Sequence, residues 1–276
     1  MKKLLTIIIS CTLALATFFA FSGCSKNKNE VVDVTTKQIV VGYTDYAPMN
    51  YKENGVLKGF DTELAITVFN ALGYDVKFKL IDWSNKYVEL NNDTIGCVWN
   101  GFTANSTDEG KNRSELVDFS LYYMENGQCL ITKSSNKITS LEGLAGKSLA
   151  YETGSAADSL INGENSMFNG ISINKQGLTS QMDACEAVRN GNKDYAVVDI
   201  ILAKDLLANN SGYSNFTICE DIDLGIEYYA IAFKKGSELT DKVNVILKAL
   251  KEVGYIDELA KKYGVENAIT DFTQNV

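Results

Sequence analysis

Short runs of β-branched and aromatic residues alternate in this chain with segments whose apolar residues recur at helical spacing. The strand-like runs are residues 38–44, 76–81, 95–99, 129–133, 148–152, 195–199 and 228–233. The helix-like segments are residues 61–72, 156–161, 181–189 and 241–253. Such alternation predicts an α/β protein with largely parallel sheets that are covered by amphipathic helices.

The N-terminus carries the features of a secretory signal. Lys2 and Lys3 precede an apolar run over residues 4–21, which ends in two small residues, Ser22 and Gly23. A transmembrane helix is the alternative, since the run is nearly long enough to span a bilayer. We expect residues 1–23 to be removed as a signal peptide.

Cys24 follows the small pair directly, and the segment Phe21-Ser22-Gly23-Cys24 resembles a bacterial lipobox. In a lipobox, cleavage leaves a diacylated cysteine as the new N-terminus, so we expect a membrane anchor through a diacylglycerol on Cys24. Simple secretion is the remaining alternative. The polar residues 24–36 are predicted to form a flexible tether.

Charge and composition exclude several classes of function. The 276 residues carry a net charge of -9, which becomes -11 when Lys2 and Lys3 leave with the signal. Nucleic acid is therefore not an expected partner, because phosphate binding needs a basic face. The chain has no histidine, which removes the commonest metal ligand and general base. We expect neither a metal nor a cofactor.

Four cysteines remain after Cys11 in the signal and Cys24 are set aside: Cys97, Cys129, Cys185 and Cys219. None forms a zinc-type pair. Each lies in or beside an apolar or helical stretch, where a free thiol packs as a small hydrophobe. We predict buried structural thiols, with one or two disulfides as the alternative.

Two segments are candidates for crossings between domains. Turn-forming residues at 125–127 precede a strand, and residues 221–225 precede another. If the chain passes out and back there, the fold has two lobes. Lobe 1 would comprise residues 37–124 and 228–276, lobe 2 residues 128–222, and the hinge crossings would lie near 124–128 and 221–228.

The segment Gly59-Phe60-Asp61-Thr62-Glu63-Leu64 closely resembles the signature of polar amino-acid-binding proteins of ABC importers. Further landmarks follow the order of that family over nearly all of the chain beyond the tether: residues 43–49, 99–103, 113–120, 146–155 and 191–199. The resemblance implies a two-lobed periplasmic-binding-protein type 2 fold with a two-stranded hinge. It also implies that the chain captures a free amino acid and delivers it to an ABC permease, which an ATPase drives.

The resemblance places the ligand's carboxylate and ammonium groups on opposite sides of a cleft. Arg113 would bind the carboxylate with its planar fork of donors. Asp199 would be the counter-ion of the ammonium. The other predicted contacts are the Gly101 carbonyl and Thr103 hydroxyl for the ammonium, and the backbone amides of Ser155 and Ala156, at a helix start, for the carboxylate.

Alternatives stay open for both charged groups. Arg113 lies in a polar run and could be a surface salt-bridge partner. Residues 104–112 look like an insertion relative to the family, so Lys111 could bind the carboxylate instead. Asp199 could serve as the N-cap of a helix that begins at Ile200.

Three further residues are predicted to contact the ligand's side chain. Tyr46 and Trp83 correspond to aromatic residues that sandwich it, although core packing would also explain both rings. Glu152 maps near the ligand's distal end, or is an exposed residue at a strand end. A carboxylate there favours a polar or basic amino acid, with cystine or cysteine left open.

These inferences predict a monomeric, lipid-anchored binding protein on the extracytoplasmic face of the cell membrane, which closes around its ligand by hinge rotation. Two other functions use the same fold. The chain could be an enzyme that resembles cyclohexadienyl dehydratases, with Glu152 as general acid. It could also be a lipoprotein that senses a ligand without transporting it.

Overall fold

A computed structural model describes residues 37–272. Outside this range lie the predicted signal peptide, the predicted lipidation site Cys24, the predicted tether and the last four residues of the chain. Within it, no helix is both long enough and apolar enough to cross a membrane.

Fifteen strands and eight α-helices make up the described part of the chain. The strands are β1 Lys37–Tyr43, β2 Tyr51–Glu53, β3 Val56–Lys58, β4 Tyr74–Leu80, β5 Cys97–Val98, β6 Thr107–Asp108, β7 Lys111–Asn112, β8 Asp118–Phe119, β9 Met124–Lys133, β10 Ser148–Glu152, β11 Asn174–Leu178, β12 Tyr195–Asp199, β13 Phe216–Ile218, β14 Ile226–Tyr229 and β15 Ala232–Phe233. The helices are α1 Phe60–Ala71, α2 Lys86–Asn91, α3 Arg113–Leu116, α4 Ala156–Asn162, α5 Gln181–Arg189, α6 Ile200–Asn209, α7 Leu239–Glu252 and α8 Tyr255–Tyr263.

Two separate sheets form the centres of two lobes. The sheet of lobe 1 has the order β4-β1-β5-β15-β8, and that of lobe 2 has the order β11-β10-β12-β9-β13 with β14 beside β9. Both sheets are mixed: β1 pairs parallel with β5, and β10 with β11 and β12, whereas β9 and β15 run antiparallel to their neighbours. Because β8 and β13 pair antiparallel with β15 and β9, they run in the same direction as β5 and β12. The described strand pairs therefore agree with the prediction of largely parallel sheets, and the one opposing strand of each sheet, β15 or β9, enters it directly after a crossing between the lobes.

The two crossings are adjacent strands that form the hinge. The first part of β9 pairs antiparallel with β14, from Met124 opposite Tyr229 to Gly127 opposite Ile226, and the rest of β9 continues into the sheet of lobe 2. The turn predicted at residues 125–127 was wrong, since these residues belong to the strand. Their polar character has another cause: the buried Asn126 amide donates to the Glu227 carboxylate across the strand pair, at 3.1 Å.

The predicted strand over residues 228–233 is in fact two strands, β14 and β15, which pair with different partners. Between them the backbone pairs with loops, since the Ala230 N–H donates to the Phe102 carbonyl oxygen at 3.0 Å. The sequence pattern also missed the strands β2, β3, β6, β7, β8, β11 and β13 and the helices α2, α3 and α8. By contrast, the bounds of β10, β12 and α5 agree with the prediction residue by residue.

Buried faces of the helices cover the sheets as the periodicity predicts. Leu64 and Val68 of α1 and Val243 and Leu247 of α7 are fully buried. The four cysteines of the described region are also buried with free thiols, which confirms the prediction of structural thiols over disulfides.

Candidate functional site

A cavity with an empty volume of about 300 Å³, counted out to its open mouth, lies between the two lobes. Its lining consists of Thr44, Tyr46, Trp83, Asn100, Gly101, Thr103, Arg113, Glu152, Ser155, Ala156, Gln181 and Asp199. This set contains all nine residues that the sequence predicted for ligand binding. Lobe 1 contributes the residues up to Arg113, and lobe 2 contributes those from Glu152 onward.

Asp199 ends β12 at the floor of the cavity and is 4% exposed. Its carboxylate accepts hydrogen bonds from Gln128 Nε2 at 2.5 Å and from Gln181 Nε2 at 2.7 Å. Burial raises the pKa of Asp199, and the Gln181, Tyr229, Gln128 and Tyr46 side chains act in the opposite direction. Although Asp199 occupies the N-cap position of α6, its side chain makes no capping hydrogen bond. The carboxylate therefore lines the cavity and does not cap α6.

Arg113 opens the short helix α3 and is 1% exposed, so it is not a surface salt-bridge residue. Its Nη1 donates to the Thr103 carbonyl oxygen at 3.0 Å. Its Nε is buried and has no hydrogen-bond partner within residues 37–272. A buried guanidinium with an unused N–H can still take up a carboxylate.

The segment 104–112, which the resemblance predicts to be an insertion, contains the hairpin of β6 and β7. Lys111 is exposed on this hairpin and does not line the cavity, so the structure does not support it as the carboxylate partner. Asp108 of the hairpin turns inward and accepts from Arg113 Nη2 at 3.0 Å. The same carboxylate lies 3.3 Å from the buried Lys86 Nζ. The hairpin therefore neutralises part of the positive charge beside the cavity.

Gly101 stands where a side chain would not fit. Its φ is 57°, in the left-handed region, and a Cβ would lie 2.7 Å from Tyr46 Cε1 and 2.9 Å from Tyr229 Cε2. Its N–H donates at 2.9 Å to the fully buried carboxylate of Asp61, whose pKa burial raises to about 7. Asp61 of the signature segment thus fixes the loop that carries the Gly101 carbonyl.

Thr103 connects the cavity to the hinge. Its hydroxyl donates to Glu227 Oε2 on β14 at 3.0 Å. Because the proton is used in this bond, the lone pairs of the hydroxyl oxygen remain available to an ammonium group. The predicted role of Thr103 as an acceptor is compatible with this geometry.

Three donors of lobe 1 converge on one carbonyl oxygen of lobe 2. The Gly154 oxygen accepts from Lys86 Nζ at 2.9 Å, Trp83 Nε1 at 3.1 Å and Arg113 Nη2 at 3.3 Å. Gly154 has a φ of 71°, a conformation that favours glycine. The Ser159 hydroxyl of α4 also donates across the cleft, to the Thr107 carbonyl oxygen of the hairpin. These contacts hold the two lobes together around the cavity.

Ser155 and Ala156 lie at the start of α4, as predicted, but one of their two amides is already used. The Ser155 N–H donates to the Glu152 carbonyl oxygen at 3.3 Å, and its hydroxyl donates to the same oxygen at 2.7 Å. Glu152 itself is 5% exposed and lines the cavity, so the alternative of an exposed strand-end residue is wrong.

The two aromatic residues predicted to sandwich the ligand line the cavity and also pack in the protein core. Trp83 meets the Phe102 ring edge-to-face at 5.0 Å between centroids. The Tyr46 hydroxyl lies 2.7 Å from that of Tyr229. Both the ligand role and the packing role are therefore compatible with their positions.

Sequence reasoning missed three lining residues, Thr44, Asn100 and Gln181. Asn100 holds the loops together, since its amide nitrogen donates to Thr44 O at 3.0 Å and to Asn50 Oδ1 at 2.7 Å. Asn100 could have been predicted from the sequence, because it precedes Gly101 in residues 99–103, one of the segments that resemble the family. Gln181 begins a correctly predicted helix, but nothing in the helical pattern points its amide at Asp199.

Two proteins of Bacillus subtilis are similar to this chain in sequence. "Arginine-binding extracellular protein ArtP" of Bacillus subtilis strain 168 is 29% identical over 264 residues, which cover 95% of this chain and 98% of ArtP. "L-cystine-binding protein TcyA" of the same organism is 28% identical over 222 residues, 79% of this chain and 77% of TcyA.

A solved structure, described as an ABC uptake transporter substrate binding protein from Streptococcus pneumoniae with bound histidine, is similar in fold. It has a TM-score of 0.75 at 30% identity and covers 84% of this chain and 94% of its own. The family profile of "Bacterial extracellular solute-binding proteins, family 3" matches residues 39–266. With the two-lobed fold and the cavity between its sheets, the chain belongs to the bacterial extracellular solute-binding proteins, family 3.

Proposed function

We propose that this protein captures a free amino acid between its lobes and delivers it to the permease of an ABC importer. One observation carries the proposal: Asp199 of lobe 2 and Arg113 of lobe 1 line the same cavity. A free amino acid presents an ammonium and a carboxylate a few ångströms apart, so a site of this kind needs an acceptor group and a donor group facing each other. The amino acids in the names of ArtP, TcyA and the Streptococcus pneumoniae protein support this ligand class.

Lobe closure would make the site selective. When both charge pairs are complete, burying them between the lobes leaves no charge without a partner. A ligand that lacks the amine would leave the buried Asp199 carboxylate without a cation, and one that lacks the carboxylate would leave the buried Arg113 Nε–H without an acceptor, which is costly. The hinge of β9 and β14 and the donors that meet at the Gly154 oxygen are the elements that we expect to move and to lock. In this proposal, lobe 1 comprises residues 37–124 and 228–276, and lobe 2 comprises residues 128–222.

The ligand that we propose has a polar or basic side chain, since Glu152 lines the cavity beside Tyr46 and Trp83. Cystine and cysteine are the alternative ligands in this proposal.

Membrane anchoring by a lipid on Cys24 is a second part of the proposal, and residues 24–36 would be the tether. The protein would act as a monomer on the extracytoplasmic face. Cells supplied with radiolabelled palmitate are expected to incorporate the label into the wild-type protein and not into Cys24→Ala. If the wild-type protein takes up no label and keeps an uncleaved N-terminus, a transmembrane segment anchors the chain instead.

An enzymatic function has one observation in its favour, since Glu152 is a buried carboxyl group whose pKa burial raises to about 8, as a general acid requires. We nevertheless infer binding without catalysis, because the relatives over most of this chain are named as binding proteins. Incubation with prephenate or arogenate is expected to give no product. Formation of product would instead establish that the protein is an enzyme of the cyclohexadienyl dehydratase kind. A signalling role would appear as ligand binding by a protein whose deletion leaves amino-acid uptake unchanged.

Isothermal titration of the mature domain with the common L-amino acids and L-cystine tests the proposal. We expect at least one free amino acid to bind with one-to-one stoichiometry, while its methyl ester and its N-acetyl derivative bind much more weakly. Equal binding of these blocked derivatives would contradict the paired-charge site.

A further inference from the structure

Buried charges around the cavity do not balance. Two carboxylates, Glu152 and Asp199, line it, whereas Arg113 is the single cationic side chain in the lining found within the described residues. A third carboxylate, Glu227, lies behind Asp199, because Gln128 Nε2 donates to Asp199 at 2.5 Å and to Glu227 at 3.0 Å. Buried carboxylates are costly unless a cation or several donors compensate them. The surplus calls for positive charge from the ligand.

The nearby Lys86 does not remove this surplus. Its side chain is 2% exposed, and its ammonium lies 3.3 Å from Asp108 and donates to the Gly154 oxygen at 2.9 Å. It sits over the Tyr87 ring, 4.6 Å from the centroid, and is not part of the cavity lining. Lys86 and Arg113 therefore share the single negative charge of Asp108. The one positive charge that remains is still outnumbered by the carboxylates of Glu152, Asp199 and Glu227.

Of the three carboxylates, Glu152 is the one that the protein leaves without donors. Asp199 accepts from two glutamine amides, and Glu227 accepts from Thr103, Asn126 and Gln128. No side chain or backbone amide between residues 37 and 272 donates a hydrogen bond to the Glu152 carboxylate. Because Glu152 lines the cavity and has no donor from the protein, a group of the ligand can bind its carboxylate.

The electrostatic surroundings of Glu152 agree with this geometry. Burial raises the pKa of Glu152 to about 8 and Asp199 and Asp82 act in the same direction, whereas Lys86 and Arg113 oppose the shift. The opposing cations are already engaged with Asp108. A cation delivered into the cavity would restore the ionised form of this carboxyl group.

We propose that the ligand carries a cationic side chain in addition to its α-ammonium group, and that the Glu152 carboxylate binds this second cation. The inference rests on the proposed function, in which Asp199 and Arg113 take the two ends of the amino-acid backbone. It narrows the ligand from polar or basic amino acids to basic ones. The Tyr46 and Trp83 rings in the lining favour such a group, because aromatic faces attract cations.

The test compares two ligands of equal shape and different charge. L-arginine and L-citrulline differ in a guanidinium against a neutral urea group, and L-lysine, L-histidine, L-glutamine and L-cystine complete the calorimetric set. In the wild-type protein, we expect a basic amino acid to bind at least about 30-fold more tightly than citrulline, glutamine and cystine. Glu152→Gln, which keeps the volume, should reduce that preference to within about 3-fold. Glu142→Gln, on the exposed surface of lobe 2, is the matched control and should change nothing.

A structural role for Glu152 would give a different pattern. Because Glu152→Gln removes a buried carboxylate without donors, the ligand-free variant should melt at no lower temperature than the wild type. The inference is overturned if a neutral amino acid binds as tightly as the basic ones, or if Glu152→Gln preserves the preference. Both of these results would leave the proposed function intact, whereas the absence of binding by every amino acid in the set would overturn the proposed function itself.

Discussion

Asp199→Asn is expected to weaken binding of the preferred amino acid by between about 30-fold and about 4,000-fold. The substitution keeps the volume of the side chain and removes its charge, so the ligand's ammonium would be buried without a counter-ion. Truncating one partner of a buried charge pair typically costs about 2–5 kcal/mol. Isothermal titration of the wild-type and variant proteins measures the change directly.

A matched control separates this effect from the loss of one negative charge in lobe 2. Asp205→Asn changes the same residue type in α6, the helix that follows Asp199, and its carboxylate contacts only Asn209 among the hydrogen bonds of the described structure. We expect its dissociation constant to stay within about 2-fold of the wild-type value. If Asp199→Asn also stays within that limit while folded, as judged by thermal melting, Asp199 is not the ammonium partner.

Arg113→Lys is expected to weaken binding by about 10-fold to 150-fold, even though it preserves the charge. Lysine has no planar fork, so it loses at least one of the two charge-assisted hydrogen bonds to the ligand's carboxylate, each of about 1.5–3 kcal/mol. The variant should also lose discrimination between the free amino acid and its amide, since the carboxylate contact is the one that changes. Paired titrations with both ligands measure this discrimination.

Lys111→Ala tests the alternative carboxylate partner that the sequence left open. Lys111 is exposed on the hairpin, so we expect its removal to leave the affinity within about 2-fold of the wild-type value. A large loss with Lys111→Ala and none with Arg113→Lys would mean that the hairpin refolds around the ligand and that the long loop does carry the carboxylate partner.

Local patterns in the sequence were sufficient for elements whose burial follows a simple period. The helix α1, with Leu64 and Val68 on one face, and the strands β10 and β12 are of this kind. They were insufficient where a polar residue is buried by a distant partner. Asn126 reads as a turn residue, yet it lies in a strand because Glu227, about a hundred positions later in the chain, accepts its amide proton.

The residues of the site divide in the same way, into those that a local segment predicts and those that depend on distant partners. Asp199, Arg113 and Gly101 could be predicted because they follow recognisable segments in a known order. The Lys86–Asp108 pair could not, because it depends on the fold of the hairpin of β6 and β7, and a lysine in a polar sequence normally lies in solvent. Whether Glu152 faced the cavity or solvent also depended on how the lobes meet, which the strand pattern does not determine.

The central claim is that one amino acid lies between the lobes with its two charged ends on Asp199 and Arg113. A crystal structure of the protein with its tightest-binding amino acid tests this claim most directly. We expect the ligand's ammonium nitrogen at about 3 Å from the Asp199 carboxylate and its carboxylate oxygens at about 3 Å from Arg113. A ligand bound outside this cavity, or one bound inside it with neither contact formed, would contradict the claim.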